Sequence, residues 1–317
     1  MQKILTLSNI SKSFGKTEVL KNITLDIQKG KIISLLGKSG SGKSTLLNII
    51  AGFEQSQTGE IRLNNAILSD QNLFIEPQKR NIGFVFQNYA LFPHMTIFEN
   101  ITFGIDKSPK EEKIKIARDL LSLVDLNGYE SRYPHELSGG QQQRIALIRS
   151  MALNPELILL DEPFSGIDTM LKSQIQKELL SILKSTQKTA IIVTHDSSEA
   201  MAMSDKIIYL EEGKIMQYDT PQNIYKNPKT KTIAKSFGVA NFIKKENKEY
   251  CVRVNQCTLD ENKGDYKVKI ISQSFQGNKY ILEVSFDETI FTVYSSTYLE
   301  NEEYYLSILW KEVVEIG

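Results

Sequence analysis

The stretch Ile32-Ile33-Ser34-Leu35-Leu36-Gly37-Lys38-Ser39-Gly40-Ser41-Gly42-Lys43-Ser44-Thr45-Leu46-Leu47-Asn48-Ile49-Ile50 decides the fold. Its first five residues are a short apolar run of the kind buried in a parallel sheet, and its last six open a helix. Between them Gly37–Ser44 fits G-x-x-x-x-G-K-[ST], in the strand–turn–helix setting that makes this pattern a phosphate site. The glycines let backbone N–H groups curl around phosphate oxygens, and the helix starting near Ser44 points its positive end at them. Lys43 has the reach for the β and γ phosphates of a nucleotide, and the Ser44 hydroxyl suits Mg²⁺.

Working outward, the residues before this stretch alternate. Ile4, Leu7, Ile10, Val19, Ile23, Leu25 and Ile27 predict antiparallel strands with turns near Gly15 and Gly30. Downstream, residues 108–133 carry a helical period (Ile114, Ala117, Leu120, Leu121, Val124), and 138–153 form a second helix through Ile145, Ile148 and Ala152. The apolar runs Leu157–Leu160 and Ala190–Val193 read as buried strands separated by a helix around Leu171–Leu183. A third strand, Ile207–Leu210, turns at Glu212-Gly213. This rhythm predicts an α/β domain with a mainly parallel core sheet. The Leu157–Leu160 run delivers Asp161 and Glu162 to a strand's C-terminal end, where open α/β sheets bind ligands. Asp161 suits an Mg²⁺ shell and Glu162 suits polarising a water.

After Gly238 the period changes to two. Tyr280, Leu282, Val284 and Phe286 alternate with Ile281, Glu283 and Ser285, and turns at Asn262-Lys263-Gly264 and Gly277-Asn278 complete the expectation of a small β-barrel. Cys251 and Cys257 lack metal-ligand spacing. On one continuous strand they would lie about 20 Å apart, beyond disulfide reach, unless a turn near Asn255 intervenes. Two reduced thiols packed in the β domain are expected. The 317 residues contain 38 Lys+Arg against 38 Asp+Glu, which argues against a protein built to grip nucleic acid. No apolar run approaches the ~18 residues of a membrane span, and Met1–Phe14 shows no signal-peptide core. A cytoplasmic protein is expected, with any membrane role exercised through a partner.

Leu137-Ser138-Gly139-Gly140-Gln141 is the most specific motif. Ser138 suits capping a helix that begins near Gln142, and the paired glycines permit close approach to an anion. With the phosphate loop and the Asp161-Glu162 pair, it makes residues 1 to about 240 resemble the nucleotide-binding subunit of an ATP-binding cassette (ABC) transporter. The resemblance implies a P-loop NTPase fold with an antiparallel β subdomain and a helical subdomain at about 88–155. It divides the chain into an ATP-binding domain, 1–238, and a C-terminal regulatory β domain, 239–317, of oligonucleotide-binding (OB) type.

The resemblance also implies roles. Gly37, Lys38, Ser39, Gly40, Ser41, Gly42, Lys43, Ser44 and Thr45 would bind ATP, with Phe14 stacking on adenine. Glu162, His195, Lys43 and Gln87 would be catalytic, and Ser44, Gln87 and Asp161 would hold Mg²⁺. Leu137, Ser138, Gly139, Gly140 and Gln141 would contact ATP held by a second copy. Ser165, Gly166, Ile167 and Asp168 would form the D-loop, where the family usually has Ala and Leu; Gly166 could loosen that loop. His94 and His135 match no family position. Tyr89–His94 reads either as a buried loop or as the stretch receiving a membrane subunit's coupling helix.

The implied partners are a second copy, transmembrane permease subunits and, indirectly, a periplasmic or extracellular solute-binding protein. The chain would sit peripherally on the cytoplasmic face of the inner membrane. Residues 77–87 and 238–242 look closest to ferric-iron importers, with polyamine or other small-solute importers as the alternative. A soluble ABC ATPase acting on ribosomes or DNA is disfavoured by the single cassette and the absence of a heptad run. An idling regulator is disfavoured because Lys43, Asp161, Glu162 and His195 are all present.

Overall fold

A computed structural model describes residues 2–167, 169–287 and 289–316, which fall into two compact units, Met1–Pro221 and Gln222–Gly317. The first unit runs β1 (Lys3–Phe14), β2 (Thr17–Gln28), β3 (Ile32–Leu36), α1 (Lys43–Ala51), β4 (Thr58–Leu63), β5 (Ala66–Ser69), β6 (Ile82–Val85), α2 (Ile97–Thr102), α3 (Lys110–Leu123) and α4 (Gly139–Met151). It continues through β7 (Leu157–Asp161), α5 (Thr169–Ser185), β8 (Thr189–Val193), α6 (Ser197–Met203), β9 (Lys206–Glu211) and β10 (Lys214–Asp219). α7 (Pro221–Lys226) stands at the junction. The second unit then runs α8 (Lys231–Ser236), β11 (Ala240–Lys245), β12 (Lys248–Arg253), β13 (Cys257–Asp260), β14 (Tyr266–Phe275), β15 (Tyr280–Phe286), β16 (Thr289–Ser295), β17 (Glu303–Ile308) and β18 (Val314–Ile316).

The core sheet has the order β10-β9-β3-β8-β7-β6. β6, β7, β8, β3 and β9 are parallel, and β10 returns antiparallel through the Glu212-Gly213 turn, where both residues have positive φ. This is the two-residue turn that matches strand twist. Neighbouring residues on one strand serve opposite cores. Ile158 and Leu160 pack with α3, α4 and α5, while Leu157 and Leu159 pack with Leu46, Leu47, Ile49 and Ile50 of α1. That two-sided burial is why β3, β7 and β8 read as continuous apolar runs. The N-terminal strands form a separate antiparallel sheet, β2-β1-β4-β5, over the α1 side.

Among what the sequence reading does not pick out, a strand and a buried arginine bear on the site. β6 pairs with β7 at the sheet edge and leads directly to Gln87. Ahead of it, Arg80 is only 1% exposed; its guanidinium donates to the carbonyls of Ile75 (2.6 Å), Ile49 (2.8 Å) and Ile50 (3.0 Å). It thereby adds donors in the last turn of α1, to Ile50 O and to Ile49 O, which Gly52 N–H also reaches at 3.2 Å.

In the second unit a three-stranded sheet, β11-β12-β18, accompanies a five-stranded one, β13-β17-β14-β15-β16, which curls until β13 approaches β16. Asn241 ties the two sheets together: its amide donates to Thr292 O (2.8 Å) and accepts from Thr292 N (2.7 Å), as a strand neighbour would. The compact division falls ahead of position 238 because Arg253 of β12 donates to Tyr225 O (2.9 Å) and Ala234 O (2.7 Å), binding the α7–α8 segment to this unit. A short helical turn at Val254–Gln256 does separate the cysteines onto different strands. Both are free and buried; burial raises the Cys251 thiol, opposed by Arg253, and pushes Cys257 up to about 12.

Candidate functional site

The C-terminal ends of β3, β7 and β8 lie side by side, and each feeds a loop into one cleft. At Gly37 the chain passes so close to β9 that a Cβ would sit 2.1 Å from the Leu210 carbonyl oxygen. At Gly42 (φ 102°) it turns through the left-handed region to start α1. α2 and α4 begin on side-chain capping boxes, whereas α1 begins with no side-chain cap. Its first N–H groups are therefore left for an anion in the loop.

Lys43, 7% exposed, donates to Gly37 O (2.8 Å) and Lys38 O (3.0 Å) across its own loop. Burial lowers its pKa, and the charges of Glu162 and Asp161 oppose that fall. Asp161 ends β7 with Oδ1 buried and, among the described residues, without a hydrogen-bond partner. Burial raises its pKa, the Glu162 charge adds to the rise, and Lys43 counters it. A desolvated carboxylate oxygen with nothing to bind, close to a phosphate loop, fits a hard divalent cation shared with phosphates; Mg²⁺ is commonly held by one or two carboxylates plus phosphate oxygens. Ser44, exposed on the first turn of α1, fits as the accompanying hydroxyl.

Glu162 turns sharply off β7 with φ 43°, a conformation costly for a residue with a Cβ. Its N–H donates to Val193 O (3.1 Å), and its carbonyl accepts from Ser165 N (3.1 Å), which fixes that turn. Its Oε2 lies 3.4 Å from Nδ1 of His195, whose side chain is 68% exposed. The loop carrying His195 is anchored on both sides. Thr194 Oγ1 accepts from Asp196 N (3.0 Å) and donates to Glu199 Oε2 (2.5 Å), while Lys172 of α5 spans Asp196 (3.1 Å) and Glu199 (2.5 Å). Nothing in the sequence spacing announces this anchor. Phe14 ends β1, half exposed, with Lys12 Nζ 5.0 Å from its ring centre.

The structure brings Phe14, the loop residues Ser39, Gly40 and Gly42–Thr45, Glu162 and His195 around one open cleft of about 590 Å³. Ser138, Gly139, Gly140, Gln87, Ser165, Gly166 and Ile167 line a different cleft, of about 490 Å³. The helix there starts at Gly139, not near Gln142: Ser138 accepts from Gln141 N (3.4 Å) and Gln141 Oε1 accepts from Ser138 N (2.9 Å), a capping box that includes both glycines in the first turn. A Cβ on Gly140 would sit 3.0 Å from Cδ1 of Ile175, so a larger residue there would need that side chain to give way by a few tenths of an ångström. Leu137 is buried in the core. Asp168 lies outside the described residues.

A twisted parallel sheet with a phosphate loop after β3 and a carboxylate pair after β7 defines a P-loop ATPase cassette. A family profile described as ABC transporter matches residues 20–165. The chain is 44% identical over 244 residues (76% of it, 69% of the relative) to a spermidine/putrescine import ATP-binding protein of Clostridium novyi. It is also 44% identical over 238 residues (74% and 67%) to an Fe(3+) ions import ATP-binding protein of Haemophilus influenzae. Among solved structures, an ATP-binding cassette in a dimeric post-hydrolysis state with ADP and Pi is 34% identical, with TM-score 0.59, covering 69% of this chain and 99% of that one. The chain belongs to the ABC transporter family. It is an import-type ATP-binding subunit and an ATPase.

Proposed function

We propose that this chain powers solute import as one of two copies that close on ATP and drive separate transmembrane permease subunits. The observation that carries this is the division of the motif residues between two clefts of one chain, each holding half of what a closed site needs. ATP at Gly37–Thr45, its adenine on Phe14, is closed by Ser138 and Gly140 of the second copy. Lys43 offsets phosphate charge. Glu162 accepts a proton from the attacking water as the bond from the γ-phosphorus to its bridging oxygen breaks, and His195 steadies the γ-phosphate. Ser44, Asp161 and Gln87 would hold Mg²⁺, which would supply further charge compensation to the phosphates. Ser165–Asp168 meet the second copy at the same closure.

In this reading the chain is peripheral on the cytoplasmic face of the inner membrane, binds no nucleic acid and receives solute through an external binding protein. Its ATP-binding domain spans 1–238, and its C-terminal domain, 239–317, is a regulatory OB-like barrel. The cargo is ferric iron, on the likeness of residues 77–87 and 238–242. The equal identity to polyamine and ferric-iron relatives keeps a polyamine as the second reading. Reconstitution with its permease pair in vesicles, supplied with a ferric or a spermidine binding protein, tests both. ATP-dependent iron uptake is expected, and spermidine uptake in its place would reassign the cargo. A chain that neither co-purifies with a permease pair nor supports ATP-dependent uptake is no importer subunit.

A further inference from the structure

Tyr89 and Ala90, just beyond Gln87, both hold left-handed backbone, with φ 62° and 46°. Neither is a glycine or asparagine, and two such residues in succession persist only where their surroundings impose the conformation. Arg149, in the last turn of α4, imposes it here. One guanidinium nitrogen donates to Ala90 O (2.7 Å), the other to Tyr89 O (3.0 Å), and the group lies 5.7 Å from the centre of the Phe92 ring. The far end of the loop is secured differently, on α2. Asn100 accepts from Phe92 N (2.8 Å) and donates to Phe92 O, Met95 O and Thr96 O at 3.0–3.1 Å.

At its other end α4 carries Ser138 as its cap, with Gly139 and Gly140 in the first turn. Thirteen residues of helix make a rod of about 20 Å between the two. We propose that Arg149 is a positioning residue that latches the turn after Gln87 onto α4, so that displacement at Ser138–Gly140 is carried along the helix to Gln87 and its loop. This rests on the reading of Ser138–Gly140 and Gln87 as nucleotide-facing groups. The latch holds a strained turn through two charge-assisted hydrogen bonds, so its loss releases that turn to ordinary backbone geometry.

Arg149→Met, Ala90→Gly and the double variant test it in the full chain, by ATP turnover and by amide exchange at residues 89–92. Arg149→Met is expected to lower kcat about five- to tenfold while KM for ATP stays within about twofold, because the phosphate-loop cleft is untouched. Exchange at 89–92 should quicken. Glycine adopts left-handed backbone unaided but does not rejoin the turn to α4, so adding Ala90→Gly should leave kcat low and exchange fast. Wild-type kcat in Arg149→Met, or recovery of kcat in the folded double variant without the link to α4, would overturn the latch. If Arg149→Met does not fold, Arg149→Gln takes its place with the same expectations, since its shorter side chain carries one donor nitrogen in place of two. A wild-type chain without ATP turnover would defeat the functional reading instead, and exchange at 89–92 would still decide the latch.

Discussion

Lys43 is held by two carbonyls of the loop it serves, so its ammonium is placed before any phosphate arrives. Lys43→Ala should weaken nucleotide binding and cut hydrolysis by about 10²–10³ or more, because a desolvated phosphate loses its nearest charge. Phosphate release by malachite green checks this, and near wild-type turnover would remove Lys43 from the site. Asp161 makes the opposite case. Burial raises its pKa, so the folded state holds its proton more tightly than the unfolded chain does. The stability it contributes is complete below the ordinary carboxylate range and is lost as pH rises through its raised value. Asp161→Asn should therefore melt higher than wild type at pH 7 without nucleotide, by a margin that shrinks as pH falls toward 4, while Mg²⁺-dependent hydrolysis collapses. Thermal melts across pH with paired ATPase assays would show it. An asparagine that left hydrolysis intact would sever Asp161 from the metal.

At the scale of elements, α1 depends on Arg80 at its C-terminal end as much as on the glycines at its N-terminal end. Arg80→Met would strip donors from three carbonyls and should cost about 1–3 kcal/mol, set partly against relief from a buried charge whose pKa burial has already brought down to about 10. Urea unfolding with an unchanged slope measures it, and a stability equal to wild type would mean water replaces the guanidinium. This dependence was not legible. Gly37–Ser44 could be read because every part of that site is contiguous and its setting is local. Arg80 acts on a helix thirty residues upstream, and only the folded chain brings them together. β6 was missed for a related reason: four residues between polar segments carry too little period to announce a strand, and its place is set by pairing with β7. The 138–153 period places α4 within two residues at each end, whereas the capping reading sets its start near Gln142 because Gly-Gly reads as loop; the Ser138–Gln141 box outweighs that weak propensity.

For the whole molecule, Glu162→Gln should separate binding from turnover. The amide keeps the size of the carboxylate but cannot serve as the base, a loss of about 10²–10⁴ in rate or roughly 3–5 kcal/mol. With Lys43, Ser44 and Asp161 still present, ATP should trap a dimer that ADP does not, visible by size exclusion with light scattering. Wild-type hydrolysis in the assembled transporter would exclude Glu162 as base. Truncation after Pro221 should leave ATP binding intact, since Phe14, the phosphate loop, Asp161, Glu162 and His195 all precede it. A folded fragment unable to bind ATP would show that the second unit supports the site. That the motif residues occupy two clefts was foreseen only through resemblance, because no spacing in the chain tells which motifs share a cavity.

The chain's two cysteines are both buried, and burial holds each thiol in its unreactive protonated form. The native protein is consequently a silent background for maleimide chemistry. A cysteine introduced at an exposed position such as Leu153, just past α4, would be the sole accessible thiol, so a dye or spin label placed there could follow the helix through a catalytic cycle without first mutating the core.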